Sequence, residues 1–206
     1  MFDPATLLTF ISACVLLAIV PGPTVTLIVA NALARGPLAG ILTVLGAQIA
    51  ILLMVVIVAL GLEVVIGMMS WAFFYIKLAG AAYLLWLGFR MITNRAGLDF
   101  SGKSDVRSLK DSIIQGFVVT LSNPKALLFL GAFLPQFIDP TGNSTAQVLV
   151  LGLITTSVFA FLDCIYAVAA GQTRRFLTES RLSIANRIAG SLLIVGGVWL
   201  ALQRKA

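Results

Sequence analysis

Residues 17–27 read LAIVPGPTVTL, and residues 118–128 read VVTLSNPKALL. Each stretch places a proline break near the middle of a long apolar segment. Proline removes a backbone donor and clashes with the carbonyl four residues earlier, so a helix breaks there. In hydrocarbon every unsatisfied backbone group is costly. The two breaks therefore predict sites where protein, water or a ligand supplies the missing hydrogen-bond partners.

The chain around these breaks has the composition of a protein that resides in lipid. Of its 206 residues, 60% are hydrophobic and only 11% are charged, whereas about a quarter of the residues in a soluble domain are charged. Six apolar segments are near or above the roughly 20 residues that a spanning helix needs. We therefore predict an all-α membrane protein with six transmembrane helices, at about residues 5–34, 38–61, 68–92, 111–138, 146–171 and 187–202.

Lysine and arginine occur in alternate gaps between these predicted helices. Arg35 lies in the first gap, five basic residues lie in or beside the third (residues 90–110), and four lie in or beside the fifth (residues 174–187). The second and fourth gaps contain none. The positive-inside rule then places the odd-numbered gaps in the cytoplasm, although Arg204 and Lys205 in the tail run against this orientation. Topology also accounts for the net charge of +6, and we expect no nucleic-acid partner.

The two halves of the chain resemble an internal repeat. Residues 77–81 (KLAGA) in the third helix resemble residues 187–191 (RIAGS) in the sixth, and the break at Pro23 resembles the break at Pro124. Three helices per half give the halves opposite orientations, as in many secondary transporters. The alternative is that Gly and Ala recur by chance. We predict two inverted three-helix repeats with broken first and fourth helices, within a single transmembrane transporter domain over residues 1–206: repeat 1 over about 1–92, a cytoplasmic loop over about 93–110 and repeat 2 over about 111–206.

The breaks also predict a binding chemistry. A half-helix that begins after a break offers free N–H groups and a partial positive charge, and the half-helix before it ends in free carbonyls. A zwitterionic amino acid has a carboxylate for the first and an ammonium for the second. The alternative is that the prolines serve packing and the polar side chains only bond across helices. The predicted substrate-binding residues are Pro21, Gly22, Pro23, Thr24, Gln48, Asn123, Pro124 and Lys125.

Asp163 lies deep within the fifth predicted helix, far from either end. A short charged side chain at that depth is costly and should face a cavity or a partner. Lys125 is the candidate partner. We predict that Asp163 couples transport to protons, and the alternative is a static ion pair between Asp163 and Lys125. The chain contains no His, so any proton carrier must be a carboxylate.

These motifs resemble the lysine exporter superfamily, homoserine/threonine-resistance branch (LysE/RhtB). The resemblance implies a multi-pass protein of the bacterial inner membrane that exports small amino acids or related metabolites (homoserine-, threonine- or leucine-like) by proton motive force. Members often carry an acidic residue where this chain has Thr24. The stretches that carry the resemblance are residues 21–23 with the region 36–46, residues 77–88, and residues 123–126 with residues 133–137.

Other functional classes fit the sequence less well. The main alternative is a divalent-metal exporter of the same superfamily, but metal sites need clustered Cys, His or carboxylates, and this chain offers one central carboxylate. An enzyme needs a nucleophile with an activating base or a metal. No such base accompanies Ser157 and Asp163, so we expect no enzymatic activity, metal or cofactor. A structural or assembly partner is a further alternative, and the sequence leaves open whether the chain forms a homodimer.

Overall fold

The computed structural model describes the backbone of residues 2–93, 106–139, 141–176 and 179–202, and most of their side chains outside residues 61–77. Over these ranges the protein is all-helical, as predicted. A π-helical turn (Phe129–Phe133) and a 3-10 turn (Leu134–Phe137) follow the fifth helix, and a 3-10 turn (Arg174–Phe176) follows the sixth. The α-helices are α1 (Pro4–Ile19), α2 (Pro23–Arg35), α3 (Pro37–Thr93), α4 (Val106–Leu121), α5 (Pro124–Leu128), α6 (Ser144–Thr173) and α7 (Glu179–Leu202).

By length and composition, the described residues contain two to four candidate membrane spans. Pro37–Leu60 and Ser144–Thr173 each qualify alone. Two bent pairs qualify if each pair counts as one span: α1 with α2, bent by 53°, and Lys110–Leu121 with Pro124–Phe137, bent by 51°. Arg187–Val198 is apolar but shorter. The six spans and the inverted repeat therefore stay predictions.

Both predicted breaks are present, and each has a proline at the start of the helix that follows. α1 ends at Ile19 and α2 begins at Pro23, whereas α4 ends at Leu121 and α5 begins at Pro124. Proline is favoured at the first helical position because its missing N–H would have no intrahelical partner there. The same residue that ends one half-helix thus starts the next.

Three predicted boundaries differ from the structure. α4 begins at Val106 and α7 at Glu179, inside stretches that we predicted as a polar loop and a basic link. Hydropathy marks only the apolar part of a helix, and a polar sequence of good helix formers can extend it. The second and third predicted helices form one element, Pro37–Thr93. The loop predicted over residues 93–110 lies largely outside the described residues.

The two ends of α3 lie side by side although the element is continuous. Gly40 packs against Ala32 near the end of α2. Ala81 packs against Gly197, whose neighbour Gly196 packs against Pro23 at the start of α2. A straight helix would separate Gly40 from Ala81 by about 60 Å, yet α2 is only about 20 Å long. The element is therefore not a straight rod, and its two ends pack like two separate helices.

Close packing places α3 against α4 and α6. A Cβ added at Gly46 would overlap the carbonyl of Ile113, and one added at Gly116 would overlap the carbonyl of Thr43. The two backbones therefore approach as closely as they do because both positions lack a side chain, which is typical of helices packed in membranes. Helix α6 runs antiparallel to α3, with its residues 167 and 152 against residues 40 and 55.

Candidate functional site

The two helix breaks are in direct contact. The Asn123 side chain donates a hydrogen bond from Nδ2 to Thr24 Oγ1 at 2.9 Å. The hydroxyls of Thr24 and Thr120 lie 3.1 Å apart and form a second hydrogen bond. All three side chains are buried. Residues from α2, α4 and the α4–α5 break therefore form one buried polar cluster.

Side chains from other helices satisfy the carbonyls at the end of α1. The Tyr166 hydroxyl, on α6, donates to the carbonyl of Ile19 at 3.0 Å, and Lys125 Nζ donates to the carbonyl of Val20 at 2.5 Å. Helix ends leave such carbonyls without intrahelical partners. Ile19 lies four residues before Pro23, so its carbonyl is the one that this proline frees. The structure adds that a lysine ammonium already occupies the neighbouring acceptor.

The two half-helix starts differ, which corrects one expectation. Both were expected to offer free N–H groups. At α5, however, Asn123 Oδ1 accepts the backbone N–H of Lys125 at 3.0 Å, so this start is capped. At α2 the N-cap residue is Gly22, and no side chain caps the helix. Only the α2 start therefore has an uncapped first turn.

A small cavity lies where these elements meet. Its volume is about 30 Å³, which is room for about two water molecules. Five predicted site residues line it, together with six that the sequence analysis did not single out. The predicted residues are Gly22, Thr24, Asn123, Lys125 and Asp163, and the others are Ala18, Val25, Ile51, Thr120, Ala126 and Phe159.

Asp163 reaches this cavity from α6 and is 4% exposed. In the described part of the chain its carboxylate has no hydrogen-bond or salt-bridge partner. Lys125 lines the same cavity and donates to the Val20 carbonyl, while its charge still acts on Asp163. The two side chains therefore interact through their charges without a direct salt bridge. Burial without a hydrogen-bond partner makes the Asp163 carboxylate an attractor for a proton or an ammonium.

Gln48 does not line the cavity but lies beside it. The packing of α3 on α6 places it level with Phe159, and it is one turn from Ile51. The side chain is 8% exposed. Neither its Nε2 nor its Oε1 has a hydrogen-bond partner among the described residues. An unpaired buried amide costs free energy, so a water or a ligand is the expected partner.

The three predicted prolines do not line the cavity. Pro23 and Pro124 line an open apolar groove, and Pro21 is exposed. This groove shares Gly22, Asn123 and Lys125 with the cavity, so these three residues form the wall between them. The other apolar side chains of the groove include Leu16, Leu17, Val20, Leu128, Phe129 and Phe133.

The predicted site residues did not include Thr120 or Tyr166. Thr120 has a signal in the sequence, because it lies four residues before Pro124 and has the carbonyl that this proline frees. Tyr166 had none, since its contact with Ile19 depends on how α6 packs on α1. Such packing between distant segments is invisible to a pattern of single residues.

Comparison with known proteins gives consistent matches over nearly the whole chain. The model of the LysE type translocator family matches residues 15–204. An "uncharacterized membrane protein" of Vibrio cholerae serotype O1 is 31% identical over 195 residues, covering 94% of this chain and 95% of that protein. The homoserine/homoserine lactone efflux protein of Salmonella typhimurium is 30% identical over 192 residues, 93% of either chain. The leucine efflux protein of Klebsiella pneumoniae is 29% identical over 198 residues, 92% of this chain and 91% of that protein. No solved structure is a significant match.

These relatives and the apolar helices together identify a multi-pass membrane protein. The divalent-metal alternative gains no support from the named relatives. Within the described ranges there is also no group of three or more His, Cys, Asp or Glu residues that could hold a metal ion.

Proposed function

The chain belongs to the LysE type translocator family, and on that premise we propose that it is a secondary active exporter of small amino acids, driven by the proton motive force. The names of the relatives favour amino-acid substrates like homoserine or leucine. The substrate site is the cavity where the two helix breaks meet, and it lies in the bacterial inner membrane. Asp163 is the residue that couples export to protons.

The observation that carries this proposal is the buried carboxylate of Asp163, which shares a cavity at two broken helices with Lys125. Ionisable side chains within a membrane bundle are costly, and they mark substrate, ion or proton pathways. Paired helix breaks at matched positions are a second feature of such sites. Here the Asp163 carboxylate and residues of both helix breaks line one cavity.

The two charges of an amino acid have separate partners in this site. The ammonium is attracted by Asp163, and the carboxylate by the uncapped first turn of α2 at Thr24 and by the Lys125 ammonium. A helix start binds anions through its free N–H groups and its partial positive charge. The bond between Lys125 Nζ and the Val20 carbonyl supports the same chemistry, since it places an ammonium against a freed carbonyl.

In this structure the proposed site is narrow. A cavity of about 30 Å³ is several times too small for an amino acid. Substrate therefore has to replace the bonds from Asn123 to Thr24 and from Lys125 to Val20. Each such exchange is nearly neutral in free energy, because one hydrogen bond replaces another. Movement of Lys125 would also open the wall toward the apolar groove.

Proton coupling follows from competition at one carboxylate. Ionised Asp163 attracts the substrate ammonium, whereas protonated Asp163 is neutral and can only donate a hydrogen bond to an acceptor or accept one. A proton that arrives from outside would therefore release the amino acid outward. The proton then leaves toward the cytoplasm before the next substrate binds. One proton enters for each amino acid that leaves.

The test begins with an overexpressing strain grown against a panel of toxic amino acids and analogues. Efflux is then measured for each protective case, first in cells and next in proteoliposomes with an imposed pH gradient. We expect protection against at least one small amino acid and efflux that stops when the gradient is collapsed. The proposal is contradicted if no compound of the panel is exported, or if efflux continues unchanged when the pH gradient is collapsed.

A further inference from the structure

A second polar cluster lies on α2, α3 and α4. Asn31 Nδ2, on α2, donates to Thr43 Oγ1 at 2.9 Å and to Gln115 Oε1 at 3.1 Å. The Arg35 guanidinium donates to Asn31 Oδ1 and, at 3.4 Å, to Gln115 Oε1. Asn31 is 7% exposed and Thr43 is fully buried, whereas Arg35 and Gln115 are partly exposed. The second cluster consists of Asn31, Arg35, Thr43 and Gln115.

This cluster lies between the break site and the end of the molecule at Gly36. Asn31 is seven residues from Thr24, which is about 10 Å along α2. The Arg174 side chain lies close to Gly36 at that same end. The apolar groove is lined mainly by residues of α1 and of the segment that begins with α5, and it includes no residue of the second cluster. The second cluster therefore lies between the basic end of α2 and the break site.

Gln48, on α3, is a buried polar side chain at a level between the two clusters. On α3 it lies five residues from Thr43 of the second cluster and three residues from Ile51, which lines the cavity. Both of its amide atoms are buried, and the described residues provide no partner for either. A side chain that only held helices together would be expected to bond across them.

We propose that Arg35, Asn31 and Gln115 form a second substrate subsite that receives the carboxylate of the amino acid before it reaches the helix breaks. This inference rests on the proposed function. The planar guanidinium offers two parallel N–H donors, which match the two oxygens of a carboxylate. In the present form the oxygens of Asn31 and Gln115 occupy donors of that guanidinium. An incoming carboxylate replaces them, and Gln48 offers the next polar contact along the route.

A purely structural cluster would behave differently. It would stabilise the helix packing and would affect every substrate to the same extent. A carboxylate subsite instead discriminates between an amino acid and the same molecule with its carboxylate converted to a carboxamide. The ratio of the two affinities, and not the activity alone, therefore separates the two roles.

The experiment uses the full-length protein in proteoliposomes, with an amino acid that the wild type exports and its carboxamide. In Arg35→Gln we expect the KM for the amino acid to rise about tenfold or more, the loss expected for a charged hydrogen bond, while the KM for the carboxamide changes less than threefold. Arg35→Lys keeps the charge but lacks the two parallel N–H donors of the guanidinium. It should give an intermediate KM for the amino acid. Arg187→Gln, an exposed cation on α7, is the control for net charge.

Binding is measured in parallel as ligand-induced thermal stabilisation of the purified protein, which does not need transport. A wild type that binds but does not export contradicts the proposed function, while the binding ratio in Arg35→Gln still decides the subsite. Equal losses for both ligands, or no change in the ratio, overturn the subsite even if export is normal. If Arg35→Gln fails to fold, Gln115→Leu, which removes a guanidinium acceptor, must still change the ratio of affinities.

Discussion

The Thr24 hydroxyl accepts a hydrogen bond from the Asn123 side-chain amide at 2.9 Å, although the two residues lie 99 positions apart in the chain. Thr24 follows the first helix break and Asn123 directly precedes the second. The bond therefore joins the two interrupted helices at the point where each loses its regular backbone pairing. The two breaks therefore lie next to each other, and both line the same cavity.

The joint between the breaks should be measurable as a coupling energy. We expect Thr24→Val to destabilise the protein by about 1 kcal/mol, because it leaves buried polar groups of Asn123 and Thr120 without a partner. Thr24→Ser should restore most of this. Combined with Asn123→Ala, Thr24→Val should give a double-mutant coupling of about 0.5–2 kcal/mol. Thermal unfolding in detergent measures the stability of the wild type, the two single variants and the double variant. Thr26→Val on the same helix is the control. Strict additivity would show that the bond contributes nothing.

Asp163 should decide whether export responds to a proton gradient. Asp163→Asn keeps the size of the side chain and removes its charge, so we expect export to fall by tenfold or more and to lose its dependence on the gradient. Asp163→Glu should retain part of both. The control is Asp139→Asn, an exposed carboxylate in the turn before α6. Full gradient-driven efflux by Asp163→Asn would exclude this residue as the coupling group.

Removing the partners of the α1 carbonyls should have two separable effects. Tyr166→Phe removes one hydrogen bond to Ile19 and should lower the stability by about 1 kcal/mol, with little change in substrate affinity. Lys125→Met removes an ammonium from the cavity and should raise the KM as well, because the substrate carboxylate loses a charge partner. Lys125→Arg should preserve more affinity than Lys125→Met. Identical KM values in wild type and Lys125→Met would remove Lys125 from the binding site.

The breaks themselves can be tested by restoring helix continuity. Pro23→Ala and Pro124→Ala give back the N–H that proline lacks and allow the helix to extend through the break. We expect each to lower efflux by tenfold or more while the protein stays folded, since the polar groups that face the cavity would pair within the helix. Radiolabelled efflux with circular dichroism of the same samples measures both. Normal transport by both variants would mean that the breaks serve packing alone.

The contact between α3 and α4 predicts a large effect from a small change. Gly116→Ala puts a methyl group where the Thr43 carbonyl lies, and overpacking of this kind costs about 1–3 kcal/mol. Gly46→Ala should behave in the same way against Ile113. Gly196→Ala, whose added carbon would only touch Pro23, is the matched control. A thermal midpoint equal to that of wild type in Gly116→Ala would mean that the helices separate at little cost.

Proline chemistry made the breaks and much of the site predictable from the sequence. Pro23 and Pro124 located the interruptions, and the lone intramembrane carboxylate marked Asp163, since few residue types tolerate those positions. Five of the predicted residues do line one cavity. Their roles in binding and coupling stay predictions that the experiments above address.

The rest of the site depends on tertiary packing that no local pattern encodes. Nothing in the sequence indicates that Tyr166 reaches the end of α1. The caps did have a local signal, because Asn before Pro is a favoured N-cap and Gly22 has no side chain to cap α2. The second cluster was also invisible, because Asn31 and Gln115 read as ordinary polar residues until α2 and α4 are placed together. Hydropathy likewise could not set the starts of α4 and α7, since it reports affinity for lipid and not helix formation.

The tightness of the cavity bears on how the cell retains its metabolites. In this structure the Lys125 and Asn123 side chains already donate to acceptors of the protein itself. A substrate must compete with these protein groups, which are held at a high local concentration. Under the proposed mechanism, an amino acid at low internal concentration therefore stays in the cell. Only an internal surplus displaces those groups. Export would then start only when the internal concentration of the amino acid rises above its normal level.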